Sequence, residues 1–144
     1  MRSPVESLLN LKRWKEDEAK NRFALLLREL ATEEAKLHKL EEQYQSLSTR
    51  FGGADELINI DEIKRLNEHL EHLLSTIQRQ KSILADKERE VEAARRHLAD
   101  ASKDKKIFER LDEKQKHLME KELRRKEQIG TDEHAVNGHN RHRA

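Results

Sequence analysis

The chain has 144 residues, of which 41% are charged and only 3% aromatic, and its formal net charge at pH 7 is +1. Globular domains carry about 25% charged residues, so this composition excludes a thick multilayer core and favours a narrow seam between helices. The absence of cysteine excludes disulfides and thiolate metal sites. No apolar run approaches the ~20 residues that span a bilayer, and the N-terminus lacks the apolar core of a signal peptide. We therefore expect a cytoplasmic protein that is not inserted in a membrane.

Helix signals begin at the N-terminus. Ser3, Pro4 and Glu6 match an N-cap, a first-turn proline and a capping-box glutamate. Apolar residues then recur at alternating spacings of three and four, the repeat of a left-handed coiled coil. Leu8 and Leu11 are expected to extend the contact towards the N-terminus. The first stripe consists of Ala19, Phe23, Leu26, Leu30, Glu33, Leu37, Leu40, Tyr44, Leu47 and Phe51.

A glycine pair separates this stripe from a second one. Gly52 and Gly53 end the first helix, because glycine tolerates the left-handed conformation that follows a helix. Asp55 and Asp61 are both suitable caps for the next helix, so the turn lies within 52–61. The second stripe consists of Ile63, Leu66, Leu70, Leu73, Ile77, Gln80, Leu84, Lys87, Val91, Ala94, Leu98 and Ala101.

These patterns predict an all-α fold, in which two long helices form an antiparallel coiled-coil hairpin over residues 1–128. A short connection makes neighbouring helices antiparallel. We expect helices over 4–51 and 61–128, the turn over 52–61, and a flexible C-terminal tail over 129–144.

The two helices differ in predicted length. Counting back from the turn, the first helix reaches about residue 107 of the second, so the second helix overhangs the first. The apolar stripe also shifts phase near Asp104 and weakens there. Residues 108–128 are therefore a candidate contact for another protein. The weaker stripe continues through Phe108, Leu111, Gln115 and Leu118.

Several residues depart from the apolar pattern. Glu33, Gln80 and Lys87 lie within the stripes, and we interpret them as register control, because polar residues in a seam select one alignment. Trp14 and Tyr44 are the sole tryptophan and tyrosine. Aromatic residues on a thin helical pair often mark partner contacts, so both are candidate binding residues.

Nothing in the sequence predicts catalysis. It has no glycine-rich phosphate loop, nucleophile elbow or HExxH motif, and a helix pair offers no water-excluding pocket. His69 and His72 lie three apart, but zinc needs about four converging ligands. We expect no catalytic residues, no cofactor and no metal site.

A charged segment near the C-terminus resembles the C-terminal motif of the flagellar export protein FliJ family. It contains the run Glu109-Arg110-Leu111 followed by Glu113-Lys114. The resemblance covers roughly residues 5–135 and includes the Gly-Gly turn. Its further matching residues are Lys106, Lys116, Glu122, Arg125, Glu127, Gln128, Asp132, Glu133, His134 and Ala135.

The resemblance implies a component of the flagellar type III protein export apparatus, peripherally associated with the inner membrane. Proteins of this family are similar to the central stalk of rotary ATPases. The resemblance therefore implies that the chain binds a hexameric export ATPase and modulates its activity, and that it contacts the membrane export gate and export chaperones. We expect a monomer that binds no nucleic acid. The candidate contacts to the ATPase ring are Phe108, Arg110, Leu111, Lys114, Lys116, Leu118, Met119, Arg124 and Arg125.

Three alternatives stay open on the sequence alone. The first two are the equivalent stalk of a virulence-type secretion system and a generic structural coiled coil that oligomerises. The third is a nucleic-acid or membrane-surface binder, because residues 103–128 carry a net charge of +3. The near-neutral total charge and the lack of a concentrated basic block argue against nucleic acid.

Overall fold

The protein consists of two long helices. The computed structural model describes residues 4–52 and 59–142, without the side chains of 51, 52 and 140–142. Helix α1 is Pro4–Gly52, with 49 residues, and helix α2 is Ile60–His142, with 83. The described residues contain no strand, and the two helices pack against each other as a helical hairpin. The predicted all-α fold is confirmed.

Helix α2 begins with Asn59 as its N-cap. The Asn59 carbonyl accepts the backbone N–H of Ile63 at 3.1 Å, and its Oδ1 accepts that of Asp61 at 3.4 Å. A side-chain oxygen at this position satisfies an N–H that the first helical turn leaves free. Asp61 is therefore not the cap, and its charge lies in the first turn near the positive end of the helix dipole. The other predicted caps, Ser3 and Asp55, and most of the predicted turn lie outside the described residues.

Helix α2 also ends later than the sequence predicts. It continues to His142, fourteen residues beyond residue 128. Gly130 and Gly138 lie inside this stretch, and neither has a positive φ. A glycine costs about 1 kcal/mol relative to alanine in a helix interior, which weakens the helix without ending it. The flexibility of 129–144 stays a prediction.

Residues Asp17–Ala99 form one compact unit, called here the central unit. Contacts across its seam join Glu33 to Gln80 and Glu29 to Lys87, so the two segments run antiparallel. Among the predicted stripe residues of this unit whose side chains the structure describes, all are buried or half-buried except Ile63. The most deeply buried of them are Ala19, Leu26, Leu73, Ile77 and Ala94.

Residues Met1–Glu16 and Asp100–Ala144 form a second unit, called here the terminal unit. Its α1 segment buries Leu9, which is 2% exposed, and not Leu8 or Leu11, which are each 44% exposed. The expectation that Leu8 and Leu11 extend the seam is wrong. Steps of three and four back from the central stripe lead through Glu16, Lys12 and Leu9, so two polar residues occupy seam positions here.

In the α2 segment of the terminal unit, polar residues likewise occupy seam positions where the sequence predicts apolar ones. Leu111 and Leu118, which the sequence places in the continuing stripe, are both exposed. The stripe prediction is wrong at these two positions. The three-and-four spacing of the seam residues shifts along α2, so other residues of the helix face the seam here. The buried and half-buried side chains of this segment include Lys105, Phe108, Glu109, Asp112 and Gln115.

The overhang of α2 therefore begins later than the expected residue 107. Asp112 is 7% exposed and Gln115 is half-buried, whereas every side chain over 116–137 is exposed. Counting residues back from the turn misplaces the boundary, because side-chain contacts set the register and chain length does not. Residues 116–142 are called here the α2 extension.

The central seam provides a direct test of the packing. Leu26 is 4% exposed, whereas its neighbour Leu25 is 48% exposed. Replacing a buried leucine by alanine removes apolar contacts and leaves a cavity, at about 2–5 kcal/mol. Leu26→Ala is expected to lower the free energy of unfolding by an amount near the lower end of that range, measured by urea unfolding monitored with far-UV circular dichroism.

The matched control is Leu25→Ala, which makes the same chemical change on the exposed face. It is expected to alter the free energy of unfolding by less than about 0.5 kcal/mol. Equal losses in the two variants would contradict the assignment of Leu26 to the seam.

Candidate partner-binding surface

A cluster of charges holds the two segments of the terminal unit together. The Lys12 Nζ lies 3.3 Å from the Asp104 Oδ2 and 5.3 Å from the centroid of the Phe108 ring. A cation over an aromatic face contributes about 0.5–1 kcal/mol at accessible sites. Phe108, predicted to contact the ATPase ring, is thus half-buried and already engaged within the hairpin.

A second charged contact lies deeper in the same unit. Glu16 is 5% exposed, and the Lys105 Nζ donates to its Oε1 at 3.0 Å. Lys105 also lies 3.8 Å from the Glu109 Oε1. The hydrogen bond from Lys105 to Glu16 raises the pKa of Lys105, and the negative charges of Glu16 and Glu109 act in the same direction. If either partner were removed, the other charge would be left largely buried and unpaired, which is unfavourable. The pair therefore favours the one alignment of the segments in which both charges meet.

The central unit contains a polar layer at the seam positions that the sequence singled out. Gln80 donates from Nε2 to the Glu33 carbonyl at 3.1 Å and to the Glu33 Oε2 at 2.5 Å. Lys87 donates to Glu29 at 2.8 Å and to Glu90 at 3.1 Å. The hydrogen bond from Gln80 lowers the pKa of Glu33, and the bond to Glu29 raises the pKa of Lys87. These contacts support a role in register.

The predicted apolar contacts on α2 are accessible. Leu111, Leu118 and Met119 each expose about half of their surface. Large apolar side chains that stay in water on a thin helical element are candidates for burial by a partner. The structure therefore leaves these three residues available, unlike Phe108.

The predicted cationic contacts divide into two groups. Lys116 pairs with Asp112 at 3.1 Å, and Arg125 pairs with Glu122 at 3.2 Å. The second group forms no ion pair with any other described residue, and its side chains are exposed. An unpaired cation has no intramolecular contact to give up when it meets an acidic partner. This second group consists of Arg110, Lys114 and Arg124.

The two predicted aromatic contacts lie in different units. Trp14, in the terminal unit, exposes more than half of its surface. Tyr44, in the central unit, is half-buried and lines an open groove together with His38, Gln45 and Ile77. Trp14 is therefore available to a partner, whereas Tyr44 contributes mainly to the seam.

The structure also places accessible residues on α2 that the sequence analysis did not name as candidate contacts. Lys103, Lys106 and Lys121 are exposed and form no ion pair within residues 4–52 and 59–142. Ile107 and Ile129 are exposed large apolar residues. The positions of these residues around the helix axis could have identified them from the sequence. That inference requires knowing which face of α2 packs on α1.

The described residues contain no group of three or more His, Asp or Glu side chains that could hold a metal ion. No stretch of either helix, over the residues described, is apolar enough to cross a membrane. The described surface carries open grooves along the helices.

The polar layer predicts an acid-sensitive stability. The pKa of Glu33 lies below its ordinary value of 4.5 in the folded protein, so its carboxylate stabilises the fold above that value. This contribution is lost as the pH falls through the lowered pKa. Between pH 6 and pH 3 the free energy of unfolding is expected to fall less steeply in Glu33→Gln than in the wild type, measured by urea unfolding at each pH.

Glu34→Gln is the matched control, because Glu34 is exposed and pairs with no other described residue. Its pH dependence is expected to parallel that of the wild type. A Glu33→Gln curve that also runs parallel to the wild type would contradict a stabilising role for the Glu33 carboxylate.

The model of the family described as Flagellar FliJ protein matches residues 1–144. A search of curated proteins and a search of solved structures returned no match. The family match covers the entire sequence, so the chain belongs to the Flagellar FliJ protein family and has a role associated with flagellar protein export.

Proposed function

We propose that this protein is a non-catalytic, stalk-like component of the flagellar type III export apparatus. The observation that carries the proposal is the α2 extension, whose side chains are exposed throughout 116–137 in a chain that belongs to a flagellar export family. A helix that continues past its intramolecular partner provides free surface for another protein. The proposed partner is the hexameric flagellar export ATPase.

The contact with the ring is proposed to use the accessible predicted residues. Leu111, Leu118 and Met119 supply apolar surface, and the unpaired cations Lys114 and Arg124 supply charge. Charged groups at an interface fix orientation and exclude wrong partners, and apolar side chains that become buried supply affinity. Lys116 and Arg125 are proposed to contribute less, because each already pairs with a carboxylate of this chain.

The proposed mechanism is coupling and involves no chemistry in this chain. Six ATPase subunits that surround one helical pair would each meet a different face of it. Because the surface of α2 is not symmetric, these faces differ in their chemistry. A ligand shifts an equilibrium only by its differential affinity for the two states. Unequal contact with the subunits would therefore favour some subunit conformations over others, and this differential contact would link the nucleotide sites to other bound components.

The other proposed partners are the membrane export gate and the export chaperones. Trp14 and the remaining exposed helix surface are available to them. We further propose that the protein acts in the cytoplasm and reaches the inner membrane through the export apparatus. Among the alternatives, the family match favours a flagellar system over a virulence-type system.

Reversing charge on α2 tests the proposed ATPase contact. The double substitution Lys114→Glu with Arg124→Glu is expected to weaken binding of the full-length chain to its flagellar export ATPase at least about tenfold, equivalent to about 1.4 kcal/mol. Stimulation of ATP turnover is expected to fall in parallel. The measurements are co-elution on size-exclusion chromatography and steady-state ATP hydrolysis.

The matched control is Arg79→Glu with Lys81→Glu, which makes the same charge change at exposed, unpaired residues of α2 in the central unit. This control is expected to bind and stimulate as the wild type does. A wild-type chain that neither co-elutes with the ATPase nor raises its turnover would refute the proposed partner. A chain that instead sediments as a stable homo-oligomer would support the generic structural coiled coil.

A further inference from the structure

Five of the seven exposed large apolar residues that the structure describes in α2 of the terminal unit form a single row, and the other two, Met119 and Leu123, lie on a different face of the helix. At about 100° per residue, the five lie within about 40° of one another around the helix axis. Each exposes between 46% and 59% of its surface. The row spans about 44 Å at 1.5 Å per residue. Its members are Ile107, Leu111, Leu118, Ile129 and Val136.

A row of cations, called here the basic ridge, runs beside this apolar row. Its members follow each other at steps of three and four, and His117 occupies the one intervening position. No acidic residue interrupts the row. None of its cations forms a hydrogen bond or ion pair with a described residue, and all are exposed. The basic ridge consists of Lys103, Lys106, Arg110, Lys114, Lys121 and Arg124.

The acidic residues of this segment are sorted onto other faces. Glu113, Glu120 and Glu127 recur every seven residues, and they lie on the far side of the basic ridge from the apolar row. A merely solvated helix face mixes charges of both signs. Here an apolar row, a basic row and an acidic row follow one another around the helix, an arrangement typical of a face that pairs with another helix.

The described part of this chain does not cover the apolar row. The α1 segment of the terminal unit packs on a different face of α2, which carries Lys105, Asp112 and Gln115. A second copy in a symmetric antiparallel pair would set basic ridge against basic ridge, and like charges at such positions are destabilising. The basic ridge therefore favours an occupant that carries the opposite charge.

The width of the apolar row decides between classes of anionic partner. A helix that lies in a membrane interface presents a broad apolar face, whereas a narrow row is the seam of a helix–helix contact. Single-stranded nucleic acid binds on basic grooves with aromatic side chains for stacking, and neither row contains Phe, Tyr or Trp. A nucleic acid would also leave the apolar row in water.

We propose that this face of α2 docks an amphipathic α-helix of a protein partner, whose apolar seam covers the row from Ile107 to Val136 and whose flanking residues on one side are acidic. Such a helix pairs its carboxylates with the basic ridge and buries the five apolar side chains. The proposal deepens the proposed function and rests on it for the identity of the partner, but not for the chemistry of the contact.

Two designed peptides test the contact without the ATPase. Both are fluorescein-labelled 28-residue amphipathic helices with leucine in the seam. One carries glutamate and the other lysine at the flanking positions. The full-length chain is expected to bind the glutamate peptide at least tenfold more tightly than the lysine peptide in fluorescence anisotropy. This preference is expected to shrink as ionic strength rises, because salt screens exposed charges.

Substitutions on each row identify the surface. Lys114→Glu with Lys121→Glu is expected to reverse the preference in favour of the lysine peptide. Leu118→Asp with Ile129→Asp is expected to lower the affinity for the glutamate peptide at least tenfold. Because both side chains are exposed, this variant is expected to fold as the wild type does. Arg79→Glu with Lys81→Glu, in the central unit, is the matched control and is expected to keep the wild-type preference.

Four results would overturn the proposal. The first is equal binding of the two peptides, and the second is a preference that the ridge reversal leaves unchanged. The third is a homodimer in sedimentation equilibrium that Leu118→Asp converts to monomer, which would make a second copy the occupant. The fourth is binding to vesicles of phosphatidylserine and phosphatidylcholine that depends on Leu118 and Ile129.

These outcomes are separate from those of the ATPase experiment. Peptide selectivity with no ATPase binding would keep this docking face and refute the proposed partner. ATPase stimulation with no peptide selectivity would keep the proposed function and refute the docking face.

Discussion

The structure depends on the fact that a pair of helices can bury only one narrow stripe of side chains from each member. The deeply buried apolar residues are few, and they include the small side chains of Ala19 and Ala94. Polar residues also fall in this stripe, and some of them bond across it, as Gln80 does with Glu33 and Lys105 does with Glu16.

The two units satisfy this constraint with different chemistry. In the central unit, leucine and isoleucine fill most stripe positions, and the polar layer at Glu33 and Gln80 is a local exception. In the terminal unit, charged residues such as Lys12 and Lys105 take up several of the stripe positions. Apolar burial depends weakly on ionic strength, whereas contacts between accessible charges are screened by salt. The more accessible Lys12–Asp104 pair of the terminal unit is therefore expected to respond more to ionic strength than the apolar contacts of the central seam.

The same difference explains which parts of the fold the sequence could predict. The central stripes were predictable because apolar residues mark nearly every position. The terminal seam was not predictable, because its positions carry Lys12, Glu16, Lys105 and Asp112. Apolar residues just beside the seam, such as Leu8 and Leu111, were assigned to it instead. Among the candidate contacts, Arg110, Lys114 and Arg124 were named from the sequence. Lys103, Lys106 and Lys121 were recognised as part of the same exposed face only after the face of α2 that packs on α1 was known.

The misplaced leucines have a physical consequence for binding. Successive residues of a helix point about 100° apart, so Leu111 and Asp112 cannot both face α1. Because Asp112 is the buried one, Leu111 is turned outwards and joins Ile107 and Leu118 beside the basic ridge. The phase shift that gives the terminal unit a polar seam is thus the same event that gives α2 an exposed apolar row. A helix with a leucine-lined terminal seam would pair more firmly with α1, but it would lose the row that a partner helix can cover.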